Sequence, residues 1–313
     1  MNIFVTGGGG FVGKELVSRL CNCGYQVVAP SSKECNLLKS ECLNIFSNIK
    51  FDKIFHLAAW TQAGDFCLNH PGEQWVNNQL INTHLLNWWR LNQPQAKLVF
   101  MGTSCAYSDG GELHEDGYMH GEPIESLYTY AMTKRMLFQG ARALGNQFNL
   151  EWFCAVPSTL YGPDYHLDGR QMHFIFDLVR KLLRGKYMGE RVILWGDGHQ
   201  RREIVHIRSF VDILLSLVDN VNNRIINVGA GEDFSIRDFV DKICQIIDFD
   251  AALVEYDTSR YVGAKSKILS INEVANYIPN YKSHLIPLEV GLKETIAWFV
   301  DEKAYLNPAE SAI

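Results

Sequence analysis

The sequence predicts an α/β fold, a doubly wound parallel sheet joined to a smaller mixed α/β lobe. Three observations predict it. Short β-rich runs alternate with longer helical patterns through the amino-terminal half. Those runs are apolar end to end instead of alternating, as strands covered on both faces require. A glycine-rich turn separates the first run from the first helical pattern. With 47% hydrophobic and 20% charged residues among 313, the composition is globular and excludes a disordered or fibrous chain.

The elements follow in order. Asn2–Thr6 reads as a strand, Val12–Cys21 as a helix and Gln26–Ala29 as a strand, with a weakly periodic stretch over Leu38–Phe46. Lys53–Leu57 is a strand, Glu73–Leu91 a long helix and Lys97–Met101 a strand. Tyr128–Leu144 is a second long helix, and Glu151–Val156 the strand after it. Beyond Gly162 the alternation loosens: His173–Leu183, Ser235–Ile247 and Leu288–Phe299 read as helices, Val192–Leu194 and Ile225–Asn227 as short strands. The expected division is a sheet domain of residues 1–165 and 198–229 and a lobe of 166–197 and 230–313, the last eight or so residues frayed.

A net charge of -6 argues against non-specific nucleic-acid binding, so phosphates would be met by a few local cations. Met1–Val5 enters a strand directly, without the pattern of a signal peptide, and no apolar run is long enough to span a membrane. A cytoplasmic protein is expected. Its eight cysteines are scattered and read as reduced thiols, and no metal site is predicted. Cys21 and Cys23 read as a helix end running into a turn at Gly24.

The turn Thr6-Gly7-Gly8-Gly9-Gly10-Phe11-Val12-Gly13 lies between strand and helix, where glycines let the backbone approach a pyrophosphate facing the helix N-terminus. This is the dinucleotide site of a Rossmann domain. At the end of the second strand an NAD site usually offers a carboxylate to the ribose. Here Ser31, Ser32 and Lys33 stand there, which suits a 2′-phosphate and predicts NADP(H).

Tyr130-x-x-x-Lys134 stacks a phenol and an ammonium on one helix face, where the lysine is expected to lower the tyrosine pKa for proton transfer. The strand Lys97–Met101 ends in Gly102-Thr103-Ser104-Cys105, hydroxyls and a thiol at the carboxyl edge of the sheet. An isolated Tyr-x-x-x-Lys is more often an ordinary helix face. Cys105 alone is more often a small buried hydrophobe, and His173 alone a satisfied helix-start histidine.

Taken together, the glycine turn, His56-Leu57-Ala58-Ala59, Asn78, the Thr103 strand end, Tyr130-x-x-x-Lys134, Pro157-x-x-x-Tyr161-Gly162-Pro163, Arg202-Glu203 and Asn227-Val228-Gly229 resemble the extended short-chain dehydrogenases/reductases over nearly the whole chain. Within that family the likeness runs to the GDP-L-fucose synthases, through Gly102-Thr103-Ser104-Cys105-Ala106-Tyr107, His173, Arg202 and Lys267. The resemblance implies a catalytic set of Thr103, Tyr130, Lys134, Cys105 and His173. It implies cofactor contacts from Gly7, Gly10, Phe11, Val12, Ser32, Lys33, Asn36 and Leu37, then from Leu57, Ala58, Ala59, Asn78, Tyr130, Lys134, Pro157 and Leu160. Substrate contacts would come from Thr103, Ser104, Thr159, His173, Lys181, Trp195, Arg202 and Lys267.

The implied reaction is NADPH-dependent epimerisation and reduction of a 4-keto nucleotide sugar, a GDP-linked 6-deoxy-hexose or heptose. Cys105 and His173 would invert C3 and C5, and Tyr130 would protonate the oxygen as hydride reaches C4. Alternatives are reduction without epimerisation, an NAD-dependent 4-epimerase or dehydratase, and a non-enzymatic NADP-binding scaffold. The chain departs from the synthase pattern at Thr159, where the family has asparagine, over Trp60–Gly64, and at Arg208-Ser209. The two long helices resemble the pair that forms the family's homodimer interface, with Trp75, Leu85, Trp88, Trp89, Met136 and Phe138 as apolar surface.

Overall fold

The computed structural model describes residues 1–64, 66–108, 112–259 and 266–306. Six parallel strands form the central sheet: β1 Asn2–Thr6, β2 Gln26–Val28, β3 Lys53–His56, β4 Lys97–Met101, β5 Trp152–Pro157 and β6 Arg224–Val228. Their spatial order is β6-β5-β4-β3-β1-β2. The chain steps from β1 outward to β2, then returns to place β3 on the other side of β1. That reversal opens a crevice at the carboxyl ends of β1 and β3, where such sheets take ligands.

Both faces are covered, which is why the strands are apolar throughout. On one face lie α1 Phe11–Asn22 and α5 Ile207–Val218, whose Leu16, Leu20, Phe210 and Leu214 pack with Ile3, Val5 and Val99. On the other lie α2 Pro71–Asn92 and α3 Tyr128–Phe148, with Leu85, Trp89, Leu137 and Phe138 packed on Phe4, Leu98 and Phe100. A Cβ on Gly140 would come within 2.7 Å of Leu86 Cδ1, so α2 and α3 approach closely there.

A third core is built by α4 Phe174–Met188, α6 Ile236–Ile247 and α7 Leu288–Asp301, with Phe176, Leu182, Phe239, Ile243 and Phe299 at its centre. Strand Val192–Trp195 pairs in parallel with Val254–Asp257 over this core. Ser235 starts α6 with a reciprocal cap, its hydroxyl accepting from the Asp238 N–H and the Asp238 carboxylate accepting from the Ser235 N–H.

The expected elements of the amino-terminal half are all present. Helix α1 ends at Asn22 and the chain turns at Gly24, whose φ of 78° is left-handed. The weakly periodic stretch after β2 is a 3₁₀ helix, Ser40–Phe46. The whole of α5 was missed from the sequence. Most of the expected frayed terminus, residues 307–313, lies outside the described residues. No helix among the described residues is long and apolar enough to cross a membrane.

Candidate active site

The carboxyl ends of β1, β3, β4 and β5 open into a cleft of about 810 Å³. At the end of β1, Gly7 has a φ of 71°, and a Cβ there would stand 2.7 Å from the Ala58 nitrogen. A Cβ on Gly13 would stand 2.2 Å from the Gly7 carbonyl oxygen, so α1 packs on the turn only without one. Gly10 is the N-cap of helix α1, which has no side-chain cap and no acidic residue in its first turn. Its free N–H groups therefore suit a phosphate, and the turn fits a dinucleotide.

The end of β2 is less open. Both the N–H and the hydroxyl of Ser31 donate to the Glu34 carboxylate at 2.8 Å, which holds that carboxyl below the usual range. Ser32, Lys33 and Asn36 are exposed on this loop, and Leu37 is buried in the core beside Leu43.

At the end of β4 the backbone folds into the 3₁₀ turn Ser104–Ala106, capped by Thr103, whose hydroxyl accepts the Cys105 N–H at 3.2 Å. Arg135 of α3 locks this turn in place by donating to the Ala106, His120 and Gly121 carbonyls. Also on α3, Tyr130 and Lys134 reach into the same space. The Thr103 hydroxyl stands near the Tyr130 phenol and favours its ionised form.

Burial, with Cys105 and Cys67 nearby, pushes the Tyr130 phenol up. This reverses the lowered value expected from its lysine. The Lys134 Nζ lies 6.0 Å from the ring centroid and is itself buried, which lowers its pKa to about 8.

His173 is the first residue before α4 and opens onto the cleft, with solvent-accessible surface inside it. The protein mass walling it in, and His166 beside it, hold its imidazole at about 4, neutral at pH 7. Across the sheet His56 bridges β1 to α2, its Nδ1 2.8 Å from the Thr6 hydroxyl and its Nε2 3.1 Å from the Asn82 side-chain oxygen. Burial keeps it at about 4, a neutral strut.

The cleft brings together most of the residues singled out from the sequence. Gly7, Gly10, Phe11, Val12, Leu57 and Ala59 line one end. Thr103, Ser104, Cys105, Tyr130 and Lys134 form its floor, with Pro157, Thr159 and Leu160 beside them. His173, Arg202 and Lys267 line it as well.

Seven others do not line it besides Ala58, whose N–H donates to the Thr6 hydroxyl at 3.3 Å. Four are the β2-loop residues Ser32, Lys33, Asn36 and Leu37. Lys181 pairs with Asp177 at 3.0 Å, and Trp195 is 44% exposed on the outer strand pair. Asn78 is buried and clamps Trp60, accepting from its N–H and donating to its carbonyl, both at 2.9 Å. It fixes the segment that lies over the cleft.

Sequence reasoning missed Lys14, Cys67, His166, Arg170 and Glu203, which also line the cleft. Lys14 directly follows the glycine turn, a signal that was available. Glu203 was noticed only as part of the Arg202-Glu203 motif, Cys67 lies in the short helix Phe66–Asn69, and His166 and Arg170 fall in an irregular segment that carries no period.

A parallel sheet with a glycine turn at its switch point and a Thr-Tyr-Lys floor defines a dinucleotide-binding protein of the short-chain dehydrogenase/reductase type. The model of the NAD dependent epimerase/dehydratase family matches residues 3–229, and the chain belongs to that family. Among curated relatives, the GDP-L-colitose synthase of Yersinia pseudotuberculosis is 28% identical, covering 97% of this chain and 99% of that protein. The GDP-L-fucose synthase of Escherichia coli K12 is 24% identical over 96% of this chain and 97% of its own length. A solved GDP-L-fucose synthetase from Naegleria fowleri superposes with a TM-score of 0.86 at 23% identity, covering 96% of this chain and 94% of that one. A GDP-6-OMe-4-keto-L-xylo-heptose reductase from C. jejuni gives 0.84 at 20% identity, covering 96% and 98%.

Proposed function

We propose that the chain is an NADP(H)-dependent epimerase/reductase of a GDP-linked 4-keto sugar, a 6-deoxy-hexose or a heptose. The observation that carries this reading is the meeting of Thr103, Tyr130, Lys134, Cys105 and His173 in one cleft with the glycine turn. The names of its relatives, GDP-L-colitose synthase and GDP-L-fucose synthase, support a GDP-sugar substrate.

Bound NADPH supplies the hydride to C4. Thr103 and Tyr130 hydrogen-bond the keto oxygen, which makes the neighbouring C–H bonds acidic by stabilising the enolate. Cys105 and His173 stand as the acid–base pair for inversion next to that carbonyl. Tyr130, its phenol kept protonated by burial, delivers a proton to the oxygen during reduction. Lys134 stays mostly charged at pH 7 and offsets the phenolate left behind.

We further assign residues 1–165 and 198–229 to the cofactor half, and 166–197 and 230–313 to the substrate lobe, within a cytoplasmic homodimer. Leu85, Trp88, Trp89 and Phe138 are buried in the core, but Trp75, Val76, Leu80 and Tyr128 remain 38–54% exposed on α2 and α3 and supply the apolar face a second copy would cover.

The test is incubation in deuterated water with NADPH and GDP-4-keto-6-deoxy-mannose, followed by NMR of the product. Reduced sugar carrying deuterium at C3 and C5 supports the reading. Reduced sugar without exchange leaves only the reductase. No turnover removes this substrate.

A further inference from the structure

The segment between strand Thr159–Tyr161 and α4 carries three side chains that the proposed chemistry does not use: His166, Asp168 and Arg170. Arg170 grips Asp168, with Nε 2.9 Å from each carboxylate oxygen and Nη2 2.7 Å from Oδ2. His166 Nδ1 lies 3.2 Å from the same carboxylate.

Aromatic packing fixes where this segment sits. Tyr165 stacks on Phe176 at 3.8 Å and meets Phe11 edge-on at 5.1 Å. Phe11 is the first residue of α1, so the segment is docked against the phosphate-facing end of the glycine turn.

Lys14 stands in the first turn of α1 and lines the same cleft. Cα–Cβ bonds tilt toward a helix N-terminus, so a lysine in the first turn of α1 can arch back over it. Burial lowers the His166 pKa, Arg170 and Lys14 add to that, and both cations line the cleft that Gly10 and Phe11 line. Two cations therefore share a cleft with a helix start that has no side-chain cap and no acid in its first turn. A guanidinium fork matches a phosphate as well as it matches a carboxylate.

We propose that Lys14 and Arg170 form a two-cation clasp for a pyrophosphate diester held on the glycine turn, with Asp168 as the counter-ion that parks Arg170 until the diester arrives. The inference rests on the dinucleotide reading above. The cofactor is the favoured source of the diester because the glycine turn receives it, although a nucleoside diphosphate sugar offers the same group. Arg170 stands three residues before His173, so its transfer to the phosphate pulls directly on the segment that presents the imidazole.

The experiment is calorimetric titration of wild type, K14Q, R170Q and D168N with NADPH and, separately, with GDP-mannose. K14Q and R170Q should each weaken NADPH about tenfold, the loss of one charge-assisted contact. D168N should tighten it several-fold, because Arg170 no longer leaves a carboxylate. An Asp168 that merely braces the loop gives the opposite sign.

Unchanged affinity for both ligands in K14Q and R170Q, or weaker binding in D168N, overturns the clasp and leaves the dinucleotide reading standing. Loss of GDP-mannose affinity with NADPH unchanged assigns the clasp to the sugar nucleotide's diphosphate. A wild-type chain that binds neither NADPH nor NADH overturns the dinucleotide reading itself, and the clasp with it.

Discussion

Exchanging Glu203 for glutamine tests how a buried carboxyl joins two distant parts of the chain. Glu203 is 3% exposed. Its Oε1 accepts the Ala230 and Gly231 N–H groups at 2.7 and 2.8 Å, and its Oε2 accepts the Leu269 N–H at 3.0 Å. A Cβ on Gly229 would stand 2.6 Å from Oε1, so the chain passes too close for any other residue. Burial pushes the carboxyl from 4.5 to about 7, and the three N–H donors pull it back only in part.

Between those two values the folded protein keeps a proton that the unfolded chain releases. Glu203 therefore makes folding less favourable as pH rises through that window. At 1.36 kcal/mol per pH unit the effect is about 3 kcal/mol. Glutamine does not titrate, and its amide sets a donor against the Leu269 N–H, a penalty of roughly 1–3 kcal/mol at every pH.

E203Q should therefore melt below wild type at pH 4.5, and the gap should close by about 6 °C toward pH 7.5, at roughly 2 °C per kcal/mol. Scanning calorimetry of both proteins across that range reads the difference. The buried histidines titrate alike in the two and cancel. A gap that stays constant or widens as pH rises would mean that the N–H donors, and not burial, govern this carboxyl.

Three further outcomes are expected. Y130F should lose about 10³-fold in turnover while NADPH affinity stays within a factor of two, measured by stopped-flow and titration; equal losses in both would make Tyr130 a binding residue. G13A should lower NADPH affinity by ~100-fold or more, since the new methyl meets the rigid Gly7 carbonyl at 2.2 Å; wild-type affinity would show that the turn can shift. N78A strands the Trp60 N–H and the Trp60 carbonyl, which should lower stability by about 2 kcal/mol in urea denaturation, and a loss under 0.5 kcal/mol would show that water replaces the amide.

The sheet half was legible because its physics is local. Apolar runs such as Leu98-Val99-Phe100 can sit only in a strand covered on both sides, and Gly7 and Gly13 mark a turn whose glycines are sterically required. Helix α5 was legible but missed. Phe210, Ile213, Leu214, Leu217 and Val218 are buried at the i, i+3, i+4, i+7, i+8 spacing of one helix face, with Asp212 and Ser216 exposed on the other. The strand pair Val192–Trp195 and Val254–Asp257 joins residues some sixty positions apart, a partnership no local pattern states.

At the site, Tyr130 and Lys134 were visible as a spacing, but the direction of the tyrosine's pKa was not. It depends on burial and on the Cys105 and Cys67 thiols, contacts that exist only after folding. Asn78 was visible by likeness, yet its grip on Trp60 spans eighteen residues and appears only in three dimensions.

The order of strands also sets a timetable for synthesis. Strand β5 pairs with β4 on one side and with β6 on the other, but residues 158–223 separate it from β6 along the chain. At roughly 5–20 residues per second, the ribosome leaves the outer edge of β5 without its partner for several seconds. Those unpaired N–H and C=O groups form a template for any passing strand. A growing copy of this chain is thus at its most adhesive late in translation, and crowded polysomes or rapid overexpression select for aggregates seeded at Trp152–Pro157.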